Sequence, residues 1–168
     1  ITGKTASGND TVIKKVRENI PHLQKALTTT SRQPRQGEKD GADYHFLPRN
    51  SFEQKVKKGE FIEYVEYGGN LYGTQKADLN SNGDLIWKID PSFAGKVKQN
   101  FGDAVVIFLN TDNETIVKRL QNRGLSSEAI QKRMEEDSRF WKQYRQNYDF
   151  VVENTPGNLE KAIKQVIQ

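Results

Sequence analysis

Apolar residues recur along this chain with two different periods, and the switch from one to the other lays out a fold. Val12, Ile13 and Val16 share one face of a 3.6-residue repeat, which predicts a helix over 12–19. Residues 85–89 (Leu-Ile-Trp-Lys-Ile) and 104–109 (Ala-Val-Val-Ile-Phe-Leu) are nearly continuous apolar runs, the pattern of strands buried on both faces. A helical pattern follows each of them, over 93–99 and over 113–122, and a long, polar helical stretch covers 126–146. Residues 1–3 read as the end of a strand, 150–152 as a last strand and 158–168 as a closing helix. Strands alternating with helices predict an α/β fold built on a parallel sheet with helices on both faces.

Residues from about 32 to 79 break this rhythm. Phe61-Ile62-Glu63-Tyr64-Val65-Glu66-Tyr67 alternates as a half-exposed strand, Gly68-Gly69 marks a turn, and 71–74 returns as its partner. A short helix is expected over 51–58, capped by Asn50 or Ser51, and a short strand over 23–27. Residues 28–43, rich in glycine, arginine and polar side chains, form either a functional loop or a disordered one. The expected organisation is a single domain over 1–168, with a core at 1–31 and 80–168. An antiparallel lobe is inserted at about 32–79 and a helical lid at about 124–140.

Composition narrows the partners. With 34% hydrophobic and 29% charged residues the chain has the make-up of a soluble domain, and no apolar run approaches the roughly 18 residues of a membrane span. No charged-then-apolar leader is visible, which sets the expectation of a cytoplasmic protein with no membrane partner. The chain opens on Ile1 close to a motif, so a short natural start is expected to precede it. Cysteine is absent, which removes disulfides and thiolate chemistry. A net charge of +4 points to an anionic partner, either nucleic acid across a basic face or small phosphates in a basic cleft.

The first candidate chemistry is Gly3-Lys4-Thr5-Ala6-Ser7-Gly8-Asn9-Asp10-Thr11, between a strand stub and a helix. Its glycine spacing is that of a loop whose backbone N–H groups close around phosphate at a helix N-terminus. The two positions after the second glycine depart from the motif. Asn9 stands where a lysine belongs, and Asp10 where a magnesium-binding Ser or Thr belongs. The alternative is a tight turn with Asp10 or Thr11 capping the helix.

The second candidate is longer. Thr28-Thr29-Thr30-Ser31-Arg32-Gln33-Pro34-Arg35-Gln36-Gly37-Glu38 is followed by Gly41-Ala42-Asp43-Tyr44-His45-Phe46, then Phe61-Ile62-Glu63 and Gly69-Asn70-Leu71-Tyr72-Gly73-Thr74. Arg32 and Arg35, three apart around a proline, make a fork of guanidinium donors for one phosphate, to which Tyr44 and Tyr72 add hydroxyls. A carboxylate such as Glu63 suits guanine, accepting from ring N1–H and the exocyclic amine, a donor pair adenine lacks. Thr28 and Thr74 can help hold the base.

In these stretches the sequence resembles guanylate kinases, which show Thr-Arg-x-Pro-Arg-x-Gly-Glu, Gly-x-Asp-Tyr-x-Phe, Phe-x-Glu and Tyr-Gly-Thr in this order. The resemblance continues through Arg119-Leu120, Arg123-Gly124, Arg133, Tyr148-Asp149 and Asn154, nearly the whole chain. It implies a P-loop NTPase-like α/β fold with a GMP-binding lobe and a lid. Thr28, Arg32, Arg35, Tyr44, Glu63, Tyr72 and Thr74, with Asp90, fall at GMP-binding positions. Residues 3–11, Arg119 and Arg123 fall at ATP-binding positions, and Arg32, Arg123 and Arg133 at positions that act in phosphoryl transfer. Arg119 and Arg123, four apart, are expected on one helical face. ATP would bring Mg2+, with Asp10 as a candidate ligand, and the protein would be a monomer or a dimer.

Lys88 is a further departure, since it replaces the first acid of a strand that usually ends acidic-Ile-acidic, while Asp90 keeps the second. A linked charge exchange is expected, in which Lys88 reaches Asp10 or the phosphates in place of the missing lysine. Lys4 is the other candidate, and plain neutralisation of Asp10 is the alternative. Two functions stay open. One is transfer of the γ-phosphoryl of ATP to GMP; the other is a non-catalytic module that holds GMP or a phosphorylated peptide. Nucleic-acid binding is the poorest reading, because basic and aromatic residues are not interleaved.

Overall fold

The computed structural model describes residues 1–80 and 83–168, and its elements alternate as the apolar periods predict. In chain order they are β1 (Thr2–Gly3), α1 (Asn9–Asn19), β2 (Gln24–Ala26), β3 (Thr29–Thr30), β4 (His45–Phe46), α2 (Arg49–Lys57), β5 (Phe61–Tyr67) and β6 (Asn70–Gln75). Then follow β7 (Leu85–Trp87), α3 (Ala94–Asn100), β8 (Ile107–Asn110), α4 (Asn113–Gln121), α5 (Ser127–Tyr144), β9 (Phe150–Glu153) and α6 (Leu159–Ile167). Short 3-10 turns lie at Lys76–Leu79 and Arg145–Asn147. The fold is α/β, a parallel sheet flanked by helices. Two compact units divide the chain: Ile1–Ile20 with Asp90–Gln168, and Pro21–Ile89. No helix among the described residues is long and apolar enough to cross a membrane.

The first unit is built on a parallel sheet in the order β1-β8-β9. Its register sets Thr2 beside Phe108 and Leu109 beside Val152, with each of these residues buried. Phe108 stacks on Tyr148 at 4.6 Å between ring centroids and lies 4.8 Å from Trp141 of α5. Val12, Ile13 and Val16 form the buried stripe of α1. The expected strand over 104–109 is shorter and later than the apolar run, starting only at Ile107, and Val105 is 59% exposed. The reason is local. Ala104 N–H turns back to Phe101 O, and Val106 N–H goes to the Asp149 carboxylate at 2.8 Å, so this stretch lies outside the ladder.

The second unit holds a parallel pair, β2 with β7, and a four-stranded sheet in the order β4-β3-β6-β5. The lobe was expected to be antiparallel; its sheet is mixed, because β3 runs antiparallel to β6 but parallel to β4. A parallel pair needs a crossover of about a dozen residues, and the polar stretch between β3 and β4 supplies it, which gives that stretch a defined path. In the β5–β6 ribbon, period-two alternation sends Leu71 to one face and Tyr72 and Thr74 to the other. Phe61, Leu71 and Phe52 of α2 close a small core with Leu47 and Val56, and the rings of Phe52 and Phe61 stack at 4.3 Å. α2 starts earlier than expected: its cap position is Pro48, whose φ of −55° suits helix entry, and the Asn50 side chain instead accepts from Ser51 N–H.

Candidate functional site

In the first unit, the loop between β1 and α1 turns on two residues of positive φ, Ala6 at 57° and Gly8 at 97°. A side chain at Gly8 is excluded twice over, by that φ and because a Cβ would lie 2.6 Å from Asn154 Nδ2. Gly8 is also the cap of α1, and no side chain caps the helix. This corrects the reading of a turn capped by Asp10 or Thr11: the helix begins at Asn9, so both residues lie inside its first turn. The leading N–H groups of a helix have no carbonyl partner within it, and such groups bind anions at helix starts.

The loop is held from its carbonyl side. Arg119 Nη1 donates to Ala6 O at 2.8 Å and Asn154 Nδ2 to Ser7 O at 2.6 Å. Thr111 Oγ1 lies 2.9 Å from Asn154 O and 3.3 Å from Ser7 O. Ala6 packs against the cluster of Ile116, Leu120 and Ile130 that joins α4 to α5. The loop's own N–H groups are engaged in part as well, with Ser7 N–H donating to Lys4 O at 3.1 Å. At the position of the expected lysine, Asn9 Oδ1 is buried and has no hydrogen-bond partner among the described residues, as is true of Ser7 Oγ. Lys4 sends its ammonium to Thr111 O at 3.3 Å.

Asp137 of α5 was not foreseen. Its Oδ2 accepts from Thr5 N–H at 2.8 Å, and it is one of the few carboxylates in the interior. Burial pushes the Asp137 carboxyl up to about 7, against the Thr5 hydrogen bond and the positive charges of Lys4 and Arg133. Arg133, half-buried, lies one turn ahead of it on α5. The expectation that Arg119 and Arg123 share a helical face is corrected. α4 ends at Gln121, Arg123 N–H folds back to Leu120 O, and Gly124 takes a left-handed φ of 77°. Arg119 therefore supports the loop backbone while Arg123 is exposed beyond the helix. Asp90, placed by the sequence among the GMP ligands, opens the second stretch of this unit. Its Oδ1 accepts from Ser92 N–H at 2.8 Å and Ser92 Oγ–H at 2.5 Å, and burial pushes its pKa up.

The second unit brings most of the remaining expected residues together. Glu63 Oε1 accepts from Thr74 Oγ1 at 2.7 Å, and Thr74 Oγ1 in turn accepts from Trp87 Nε1 at 2.8 Å. This chain fixes the carboxylate on the β5–β6 face that also carries Tyr72, about 7 Å along the strand from Thr74. Tyr44 is buried, and the Arg32 guanidinium stands 5.6 Å from its ring and 5.7 Å from that of Phe46. Tyr72 also lies within electrostatic reach of Arg32. Thr28 is buried, and its carbonyl accepts from His45 N–H at 2.9 Å.

The fork of two guanidinium groups takes a different form from the one expected. Arg32 pairs with Glu38 through Nη1 at 2.9 Å and Nη2 at 3.0 Å, and Arg35 contributes its backbone N–H to the same carboxylate at 2.7 Å while its side chain is exposed. Burial opposes the charge of Glu38, but the Arg32 and Arg35 hydrogen bonds outweigh it and hold the carboxyl below its usual range. Glu38 stood in the quoted motif, yet its role was not read from it. Lys88 directs its ammonium to Tyr44 Oη at 2.5 Å.

Comparison with known proteins settles the family. The guanylate kinase family profile matches residues 1–168, the whole chain. The chain belongs to the guanylate kinase family. It is similar to the guanylate kinase of Fusobacterium nucleatum, with 34% identity over 99% of this chain and 91% of that one. It is also similar to the guanylate kinase of Rubrobacter xylanophilus, with 37% identity over 80% of this chain and 73% of its relative. A crystal structure of guanylate kinase from Anaplasma phagocytophilum superposes with a TM-score of 0.74 at 25% identity, covering 98% of this chain and 79% of that one.

Proposed function

We propose that this guanylate-kinase-family chain transfers the γ-phosphoryl group of ATP to GMP, giving ADP and GDP. The observation that carries the reading is one face of the β5–β6 ribbon. There Thr74 holds the Glu63 carboxylate two positions from Tyr72, in the unit where Arg32 meets Tyr44. A carboxylate fixed in this way accepts from N1–H and the exocyclic amine of guanine, and a half-buried acceptor of this kind disfavours a base that lacks those donors. Arg32, Tyr44 and Tyr72 then serve the phosphate at the other end, with Arg35 as the more exposed contributor, and Thr28 beside the base.

In the first unit, residues 3–11 are the proposed ATP grip, acting through N–H groups and the α1 dipole. Lys4, Arg123 and Arg133 are the cations proposed to serve the phosphates there, with Arg119 securing the loop that binds them. Magnesium brought in with ATP would neutralise charge on the transferring phosphoryl. The described residues contain no group of three or more Asp, Glu, His or Cys able to hold a metal by themselves. An ion brought in with ATP would be ligated chiefly by phosphates and water, with Asp10, exposed in the first turn of α1, as a candidate protein ligand. The protein's part is positioning and charge neutralisation, since the reaction asks little covalent chemistry of it.

The test is a coupled assay of ADP formation with GMP, using AMP as the control acceptor. The expected result is GMP-dependent ADP formation that rises in Asn9→Lys, which restores one cation beside the phosphates. If both proteins are silent with GMP bound, transfer is refuted and the chain is a binding module for GMP or a phosphorylated group.

A further inference from the structure

Lys88 sits at a strand-end position where an acid was expected, and the structure gives it a defined partner. Its ammonium donates to Tyr44 Oη at 2.5 Å and lies 5.1 Å from the centroid of that ring. The other face of the environment is also cationic, because the Arg32 guanidinium stands 5.6 Å from the same ring. Tyr44 is buried, so its hydroxyl has few orientations available.

A lysine ammonium has three donors and no acceptor, whereas a phenol has one proton and two lone pairs. In the Lys88–Tyr44 bond the phenol oxygen is therefore the acceptor, and its own proton is directed elsewhere. Without Lys88, Tyr44 could turn that proton inward and offer a lone pair to its surroundings. With Lys88 in place, one lone pair of the hydroxyl is taken and its proton is turned away from the ammonium, polarised by the charge behind it. A hydroxyl whose proton is directed in this way, with a guanidinium 5.6 Å from its ring, is suited to a phosphate, which carries acceptors alone.

We propose that Lys88 is a positioning residue of the acceptor site: it acts through Tyr44, orienting and polarising its hydroxyl toward the phosphate of a bound nucleoside monophosphate. This rests on the reading of the second unit as the GMP lobe, and it gives the acid-to-lysine exchange a role on the acceptor side.

The test is a double-mutant cycle with Lys88→Met, Tyr44→Phe and the pair, plus Lys88→Arg, in which GMP and guanosine are titrated by ligand-observed NMR. Lys88→Met is expected to weaken GMP about tenfold, the effect of one charge-assisted hydrogen bond, with guanosine binding unchanged. The double variant should be no weaker than the weaker single one, and Lys88→Arg should restore most of the affinity. GMP affinity unchanged in Lys88→Met overturns the proposal. So does a parallel loss of guanosine, which indicates a general structural role, or losses that multiply in the double variant, which show that Lys88 does not act through Tyr44. If wild-type protein binds guanosine and GMP equally or not at all, the GMP-lobe reading itself falls, a failure distinct from any confined to the variants.

Discussion

Asp137 gives the sharpest prediction, because the same carboxyl is buried and tied to the phosphate loop. In the unfolded chain it ionises near 3.8; in the fold, burial holds its proton up to about 7. Between these values the unfolded state binds fewer protons than the folded one, so this group makes stability fall as pH rises through the window. Its contribution is most favourable below about pH 4 and fully lost above about pH 7. At 1.36 kcal/mol per pH unit the interval is worth roughly 4 kcal/mol as an upper limit. Asn at position 137 keeps an oxygen for Thr5 N–H but never ionises. Asp137→Asn should therefore gain stability relative to wild type between pH 4.5 and pH 8, by about 2–4 kcal/mol. Urea unfolding of both proteins at the two pH values measures it, and the titration of all other groups cancels in the difference. A wild-type-to-variant difference constant to within about 0.5 kcal/mol across that range would refute the reasoning.

Glu63→Gln replaces one acceptor with a donor facing the guanine N–H pair, and calorimetry should show GMP affinity reduced about 10- to 100-fold with no change for an ATP analogue. Phe52→Ala empties the centre of the lobe core and should destabilise by about 3–5 kcal/mol in denaturant unfolding followed by tryptophan emission. Asn154→Ala removes the donor to Ser7 O and should cost about 1–3 kcal/mol in the same assay and weaken ATP-analogue binding, whereas GMP affinity is expected to hold.

Much of this was legible in the sequence because it is written in local periods. The β5–β6 ribbon follows from alternation around Gly68-Gly69, whereas the register that sets Glu63 opposite Thr74, on the face of Tyr72, is given only by the folded pair. The buried stripe of α1 follows from Val12, Ile13 and Val16. What escaped lies where no period operates. β3 and β4 have two residues each, too few to show alternation, so their parallel pairing and the mixed sheet were invisible. The end of α4 depends on Gly124 and a backward bond to Leu120, and a spacing of four said nothing of it. Partners of the charges were the hardest to see. Asp137 meets Thr5 across 132 positions, and Lys88 meets Tyr44 across 44, distances at which only the folded chain sets the neighbours.

The pairing of Arg32 with Glu38 has a consequence for discrimination among anions. A guanidinium already neutralised by a carboxylate on its own loop is an exchange point, where an incoming anion must displace an oxygen pair that is tethered and therefore always at hand. Chloride or a lone carboxylate gains little from such an exchange. In the proposed GMP site, a doubly charged phosphate whose other end is anchored has its own tether and competes on better terms. If Arg32 serves the GMP phosphate as proposed, Glu38 is the internal anion that this phosphate replaces.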